Sequence, residues 1–119
     1  MAATSGTLTS RHPKVLLICN DPDDVLGAAS IIAEQEDEFR VVTEDTKTKR
    51  AIKKYKPAVV LFALSEVTNS IAMYSELVEE HAFDYVHQSI LLCKNKESGI
   101  AFRACIKGLF DNYFVYQPL

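Results

Sequence analysis

Short apolar segments alternate with amphipathic ones along this chain, and that order constrains the fold more than any other feature. Residues 14–19 and 58–64 are apolar almost throughout, with no alternation of polar and apolar positions. Such runs are typical of strands that are buried on both faces of a sheet. Sheets of this kind are parallel, because the connecting helices cross over and cover both faces.

Five strands and four helices follow from this pattern. The strands are predicted at residues 14–19, 39–43, 58–64, 89–93 and 112–116, and the helices at 22–33, 46–55, within 65–81 and at 100–109. The first helix is expected to begin at Pro22 behind an Asp21 cap and to bury Leu26, Ala29 and Ile32. The sequence therefore predicts an α/β protein with a doubly wound, five-stranded parallel sheet, with residues 58–64 at its centre.

Composition excludes several other classes of protein. The chain has 119 residues, which suit one domain, predicted at 14–119 after a flexible leader at 1–13. Thirteen basic against 16 acidic residues give a net charge of −3, which disfavours direct binding of nucleic acid. No run is long enough to cross a membrane, and no signal peptide is visible. Three unevenly spaced cysteines indicate reduced thiols and a cytoplasmic protein.

Four segments, taken in order, resemble the receiver domain of bacterial two-component response regulators. They are residues 14–22, 55–64, 89–93 and 108–118. The resemblance implies a flavodoxin-like, three-layer sandwich and a role in two-component signal transduction. Receivers end in a fifth helix that this chain lacks, so the resemblance implies an N-terminal part of a longer protein, with an output domain beyond residue 119.

The positions that carry phosphorylation in receivers are all changed here. The resemblance aligns the acidic pair that holds Mg²⁺ with Cys19 and Asn20, and the phosphoacceptor Asp with Ala63. It aligns the hydroxyl residue with Cys93 and the Lys with Gln117. A methyl group cannot attack phosphorus, and Mg²⁺ needs oxygen ligands. We therefore expect a pseudo-receiver that is not an enzyme and uses no cofactor.

Polar groups near the first and third strands allow two interpretations. Asp21, Asp23 and Ser65 would lie at the carboxyl edge of the sheet, where folds of this class bind ligands. They could form a weak cation site or crevice site, but capping of the first helix is the favoured interpretation. Cys19 and Cys93 would flank the third strand, too far apart for a disulfide.

Two surfaces are candidates for protein contacts. Lys49 and Lys53 belong to a basic run on the second helix, interpreted as solvated surface or as a contact for an acidic partner. Tyr113 and Tyr116 lie near the strand-five aromatic residue that switches in receivers, and could anchor an interface. A missing last helix would leave the sheet uncovered around Tyr113 and Val115, which would favour a homodimer.

The sequence thus favours a non-catalytic signalling module that works by protein–protein interaction or dimerisation, independently of aspartyl phosphorylation. The alternative is a ligand or redox sensor that uses the crevice around Asn20, Asp21, Ser65 and Cys93.

Overall fold

Alternating strands and helices build a single parallel sheet. The computed structural model describes residues 13–32, 38–43 and 47–117. The strands are β1 (Lys14–Cys19), β2 (Glu38–Thr43), β3 (Val59–Ala63), β4 (Gln88–Lys94) and β5 (Asn112–Gln117). The helices are α1 (Pro22–Ile32), α2 (Thr48–Tyr55), α3 (Val67–Glu79) and α4 (Ser98–Ile106), with a short 3₁₀ turn at Asn95–Glu97. The leader predicted at 1–13 lies outside the described residues except for Pro13.

All strand pairs are parallel, in the order β2-β1-β3-β4-β5. The register aligns Cys19 with Ala63, so β1 and β3 end together. This order is flavodoxin-like, and it confirms the predicted doubly wound α/β fold with β3 at the centre.

The two faces of the sheet carry separate cores. Leu16, Ile18 and Phe62 point to the face that α2, α3 and α4 cover, and Phe62 packs edge-on against Tyr74 and Phe110. We call this cluster the three-helix core. The opposite cluster, the α1 core, contains strand residues such as Leu17 and Ala63 together with Val25 and Ala29 of α1. Among the described helices, α1 alone contributes to it.

The start of α1 follows the prediction, but its buried face does not. The Asp21 carboxylate accepts a hydrogen bond from the backbone N–H of Asp23 at 3.1 Å, which confirms the predicted cap. Leu26 is 41% exposed, so the prediction that it faces the core is wrong. Val25 and Ala29, four residues apart, are the buried pair, and Leu26 is turned about 100° from Val25 around the helix.

The last strand also differs from the prediction. Tyr113 and Val115 face the three-helix core, and the Tyr113 ring meets Phe102 of α4 with ring centroids 6.4 Å apart. The expectation that the sheet is uncovered around these two residues is therefore wrong. Side chains alternate along a strand, so Phe114 and Tyr116 point to the opposite face, where Tyr116 packs against the α1 core.

The amino edge of the sheet is held by polar and aromatic contacts. Asp111 accepts a hydrogen bond from the Ser89 N–H at 2.7 Å, which joins the starts of β4 and β5. In the loop before β4, His87 stacks on Phe83 at 3.9 Å and lies 2.8 Å from the Tyr74 hydroxyl. The loops that lead from the strands into the helices lie at the opposite, carboxyl edge of the sheet.

No helix within the described ranges combines the length and the apolar character that crossing a bilayer requires.

Candidate functional site

The carboxyl ends of the three central strands meet at one edge. Cys19 ends β1, Ala63 ends β3 and Cys93 lies one residue before the end of β4. Asn20 follows β1 directly. Gln117 ends β5 opposite Lys94, after a register shift at Cys93 and Lys94. All five positions singled out in the sequence are thus brought to the carboxyl edge, with Gln117 on its outermost strand.

Nothing at Ala63 can act as a nucleophile. Its methyl group is 4% exposed and belongs to the α1 core, beside the buried Cys19. A nucleophile needs an oxygen, sulfur or nitrogen lone pair aimed at the reacting atom. The side chain at the end of the central strand is therefore a methyl group that cannot react.

Asn20 and Ser65 close the gap between the loops that follow β1 and β3. The backbone N–H and the hydroxyl of Ser65 both donate to the Asn20 side-chain oxygen, at 2.5 and 2.8 Å. An amide oxygen has two lone pairs, and both are used by these bonds. Asn20 therefore has no oxygen lone pair left for a metal ion, and Ser65 is held by a neighbour rather than free for a ligand.

Glu97 closes the gap between β4 and α3. One carboxylate oxygen accepts the Val67 N–H at 3.0 Å, and the other accepts the Lys94 N–H at 3.1 Å. Its negative charge thus lies at the N-terminus of α3, where the helix dipole favours an anion. The first position of that helix is already occupied by an anion from the chain itself.

Glu97 was missed in the sequence, because residues 94–99 fall in the gap between the predicted strand at 89–93 and the predicted helix at 100–109. The only available signal was a lone acidic residue four positions after the predicted strand at 89–93. Loop residues show no periodicity that would indicate where a side chain points.

The predicted cation site lacks a ligand cluster. Asp21 caps α1, Asp23 lies in the first turn of that helix, and Ser65 binds Asn20. Within the described ranges, no group of three or more His, Cys, Asp or Glu side chains is arranged to hold a metal ion. The structure favours the capping interpretation of these carboxylates.

Both buried thiols at this edge are held in the protonated form. Burial, with a smaller contribution from Asp21, raises the pKa of Cys19 to about 11. Burial, followed by Glu97 and Cys105, raises the pKa of Cys93 to about 11. The thiolate is the reactive form of cysteine, so these groups are unreactive at neutral pH. β3 lies between the two strands that carry them, as predicted, and both thiols are free.

A depression of about 440 Å³ lies beside Glu97. Its wall carries two hydroxyl groups, two lysines and two glutamates, namely Ser65, Thr68, Lys94, Lys96, Glu66 and Glu97. The two predicted interface lysines are elsewhere, on α2. Lys49 forms an ion pair with Glu80 at 3.6 Å, and Lys53 lines a furrow along α2.

Comparisons with known proteins add no relative to this picture. A scan against protein-family models finds no match, and neither do searches of curated proteins and of solved structures. The function therefore has to be inferred from the carboxyl edge and from the surfaces of the fold.

Proposed function

We propose that this chain is a non-catalytic, receiver-like signalling module that acts in the cytoplasm through protein–protein contacts and needs no aspartyl phosphorylation. The observation that carries the proposal is a carboxyl edge closed by the chain's own groups. The Ala63 methyl lies where the resemblance puts the phosphoacceptor. Asn20 holds Ser65, and Glu97 holds the first N–H of α3.

Each requirement of phosphoryl transfer meets an obstacle at this edge. The reaction needs a carboxylate nucleophile and a metal ion bound by oxygen atoms, and Ala63 and Cys19 supply neither. A phosphoryl group placed here would also approach the Glu97 carboxylate, and charges of the same sign repel. A signal that depends on this reaction is therefore not expected.

An exposed apolar surface on α4 supports the protein-contact part of the proposal. Phe102 is 51% exposed and Ile106 is 67% exposed, and residues four apart share one side of a helix. Leu109 is exposed beyond the helix end. Clustered apolar side chains of this size favour association with another protein surface, and we propose self-association as one such contact. Tyr113 borders this surface through its contact with Phe102.

Two measurements test the proposal. Incubation with acetyl phosphate and Mg²⁺, followed by intact mass spectrometry, should leave the mass unchanged, and beryllofluoride should not bind. Light scattering should show an oligomeric state that the phosphoryl mimic does not alter. A phosphoryl adduct, or beryllofluoride saturation, would overturn the proposed function.

The apolar surface has a matched control. Ile106→Glu should shift the protein towards monomer, because it places a charge within the contact. Ile31 of α1 is 76% exposed and lies on the other side of the sheet, so Ile31→Glu should leave association unchanged. Equal effects of the two variants would rule out the α4 surface as the contact.

The depression beside Glu97 favours a second candidate function, a sensor of a small ligand. Its lysines supply cations, its glutamates supply carboxylates and Thr68 supplies a hydroxyl, so the ligand would be a small molecule that carries charges of both signs. A thermal-shift screen with amino acids and nucleotides tests this candidate. A stabilising ligand whose effect is lost in Lys94→Ala would favour the sensor; no shift with any of them would exclude it. A redox sensor that uses Cys93 is disfavoured, because burial raises the pKa of its thiol and the thiolate is the reactive form.

A further inference from the structure

A basic cleft lies between β2 and α2, away from the carboxyl-edge groups described above. Its volume is about 310 Å³. Basic side chains line it, namely Arg40, Lys47, Arg50 and Lys54, over a floor that includes Leu16 and Tyr55. Among the described residues that line it, none is acidic. The chain as a whole is acidic, so this concentration of positive charge is local.

An aromatic ring positions one of these cations, and two others have no acidic partner among the described residues. The Arg40 guanidinium lies over the Tyr55 ring, 4.4 Å from its centroid. The Tyr55 hydroxyl donates to the Glu38 carbonyl at 3.0 Å, which fixes the ring. Arg50 and Lys54 form no ion pair within the described ranges, in contrast to Lys49 and Lys56, which pair with acids near the end of α3.

The basic character continues along the helix. A second furrow, lined by Lys49, Arg50, Lys53 and Lys54, adjoins the cleft and shares two of its residues. The positive surface is therefore elongated. It suits a ligand with several negative charges in a row better than a single small anion.

The wall of the cleft is an edge strand. Among the described strands, β2 pairs only with β1. The Glu38 N–H donates to Pro13 of the β1 side, and backbone groups alternate along a strand. The N–H and C=O groups of Phe39, Val41 and Thr43 are therefore directed away from β1, towards the open edge. An extended segment could pair there and lie next to the cations of α2.

We infer that this edge binds an extended acidic segment of a partner protein, added to the sheet as a strand beside β2. Backbone hydrogen bonds to Val41 would hold the segment, and its carboxylates would face Arg40, Arg50 and Lys54. The inference rests on the proposed function, because it names the partner of a protein-interaction module.

A second copy of this chain does not fit the same edge. Two β2 edges pairing about a two-fold axis would bring both sets of Arg40, Arg50 and Lys54 together, and like charges in such a contact are unfavourable. Nucleic acid is disfavoured by the net charge of −3, since sequence-independent binding depends on a net basic footprint. An acidic protein segment meets both the charge and the hydrogen-bonding pattern.

Fluorescence anisotropy with the full chain tests the inference. The probe is a fluorescein-labelled peptide that alternates valine with aspartate or glutamate, compared with the same peptide carrying asparagine and glutamine. Arg50→Ala with Lys54→Ala should weaken binding of the acidic peptide about tenfold. Both side chains are exposed and alanine favours helix, so the variant should fold normally. Arg103→Ala with Lys107→Ala removes the same charge near β5, at the opposite edge of the sheet from β2, and should change the affinity less than twofold.

Strand pairing is tested on the peptide, which leaves the protein unaltered. Methylation of alternate peptide nitrogens removes the backbone donors and should reduce binding by at least about tenfold. Equal binding of the methylated peptide, equal binding by the Arg50→Ala, Lys54→Ala variant, or tighter binding of a single-stranded oligonucleotide of equal charge would each overturn the inference. None of these outcomes alters the acetyl phosphate result, so failure of this inference is distinguishable from failure of the proposed function.

Discussion

Ala63 is the residue on which the proposed function depends most directly. It ends the central strand, level with Cys19 of β1, and its methyl group is packed into the α1 core. A carboxylate at this position would need a Mg²⁺ ion or hydrogen-bond donors to stabilise its charge. The neighbouring Asn20 and Ser65 are hydrogen-bonded to each other instead. Ala63 is therefore part of the hydrophobic core rather than of a polar site.

Ala63→Asp should therefore destabilise the protein without creating a phosphorylation site. Burial of an unpaired carboxylate should lower the free energy of unfolding by about 2 kcal/mol or more at neutral pH. Urea denaturation measures this loss, and Ala63→Asn, similar in shape but uncharged, should lose less. A variant as stable as the wild type that also gains phosphoryl mass from acetyl phosphate would show that the edge is open.

For individual residues, the sequence predicted the edge of the sheet on which they lie better than the groups to which they form hydrogen bonds. Cys19, Asn20, Ala63 and Cys93 could be assigned to one edge because the ends of parallel strands meet there. Which groups bind one another could not be predicted. The Asn20–Ser65 bond joins residues 45 apart, and it depends on the exact approach of two loops.

Among the elements, the start of α3 is tied to the end of β4 by the side chain of Glu97. Glu97 bonds to the Lys94 N–H at the end of β4 and to the Val67 N–H at the start of α3. Hydrogen bonds to a charged acceptor are stronger than those between neutral groups. The carboxylate thus positions the loop that borders the depression.

Glu97→Gln should loosen this attachment. The amide keeps one acceptor but turns an N–H₂ group towards the other donor, so the free energy of unfolding should fall by about 1–2 kcal/mol. Hydrogen exchange of the Val67 amide should accelerate as well. Glu79→Gln, in the last turn of α3 where a negative charge opposes the helix dipole, should be neutral within about 0.5 kcal/mol. Unchanged exchange at Val67 would show that Glu97 does not hold the helix.

The elements show where sequence periodicity is informative. β1 and β3 were predicted to within a residue or so at each end, because continuous apolar runs leave few alternatives. Residues 94–99, which were predicted as neither strand nor helix, contain the end of β4, the 3₁₀ turn and the start of α4. Polar residues occur in all three, so composition could not separate them. The prediction that Leu26 is buried was wrong for a similar reason. Val25 and Leu26 are both apolar, and only the packing of α1 decides which of the two faces the core.

The stability of the whole molecule should depend on pH through its buried thiols. Burial raises the pKa of Cys19 and of Cys93 to about 11, whereas an unfolded thiol titrates near pH 8.5. Below about pH 8.5 both states are protonated and the full stability is present. Above it the unfolded chain loses protons that the folded chain keeps, so stability falls as the pH rises towards 11.

Urea midpoints measured from neutral pH to about pH 10 should record this loss. Cys19→Ala with Cys93→Ala should show a shallower decline over the same range, although a lower stability at neutral pH. Burial also raises the pKa of Tyr85, so part of the decline in stability with pH should remain in both proteins. Parallel curves for variant and wild type would show that the thiols are not the cause.

For the whole molecule, the architecture could be predicted and its surfaces could not. Strand–helix alternation admits few topologies, because crossovers between parallel strands are right-handed. The basic cleft arises only when Arg40 of β2 comes next to Arg50 and Lys54 of α2. In the sequence these cations look like one solvated run and an isolated arginine.

The all-parallel sheet has a consequence for how the chain reaches its native state. Lys14 pairs with Glu38 and Val15 with Val59, so each pairing of β1 requires the chain to complete at least one crossover first. No hairpin can form early and act as a template for the next strand. Proteins dominated by such non-local contacts fold slowly for their size. The sheet therefore has to assemble cooperatively, because none of its strand pairs joins strands that are neighbours through a short turn.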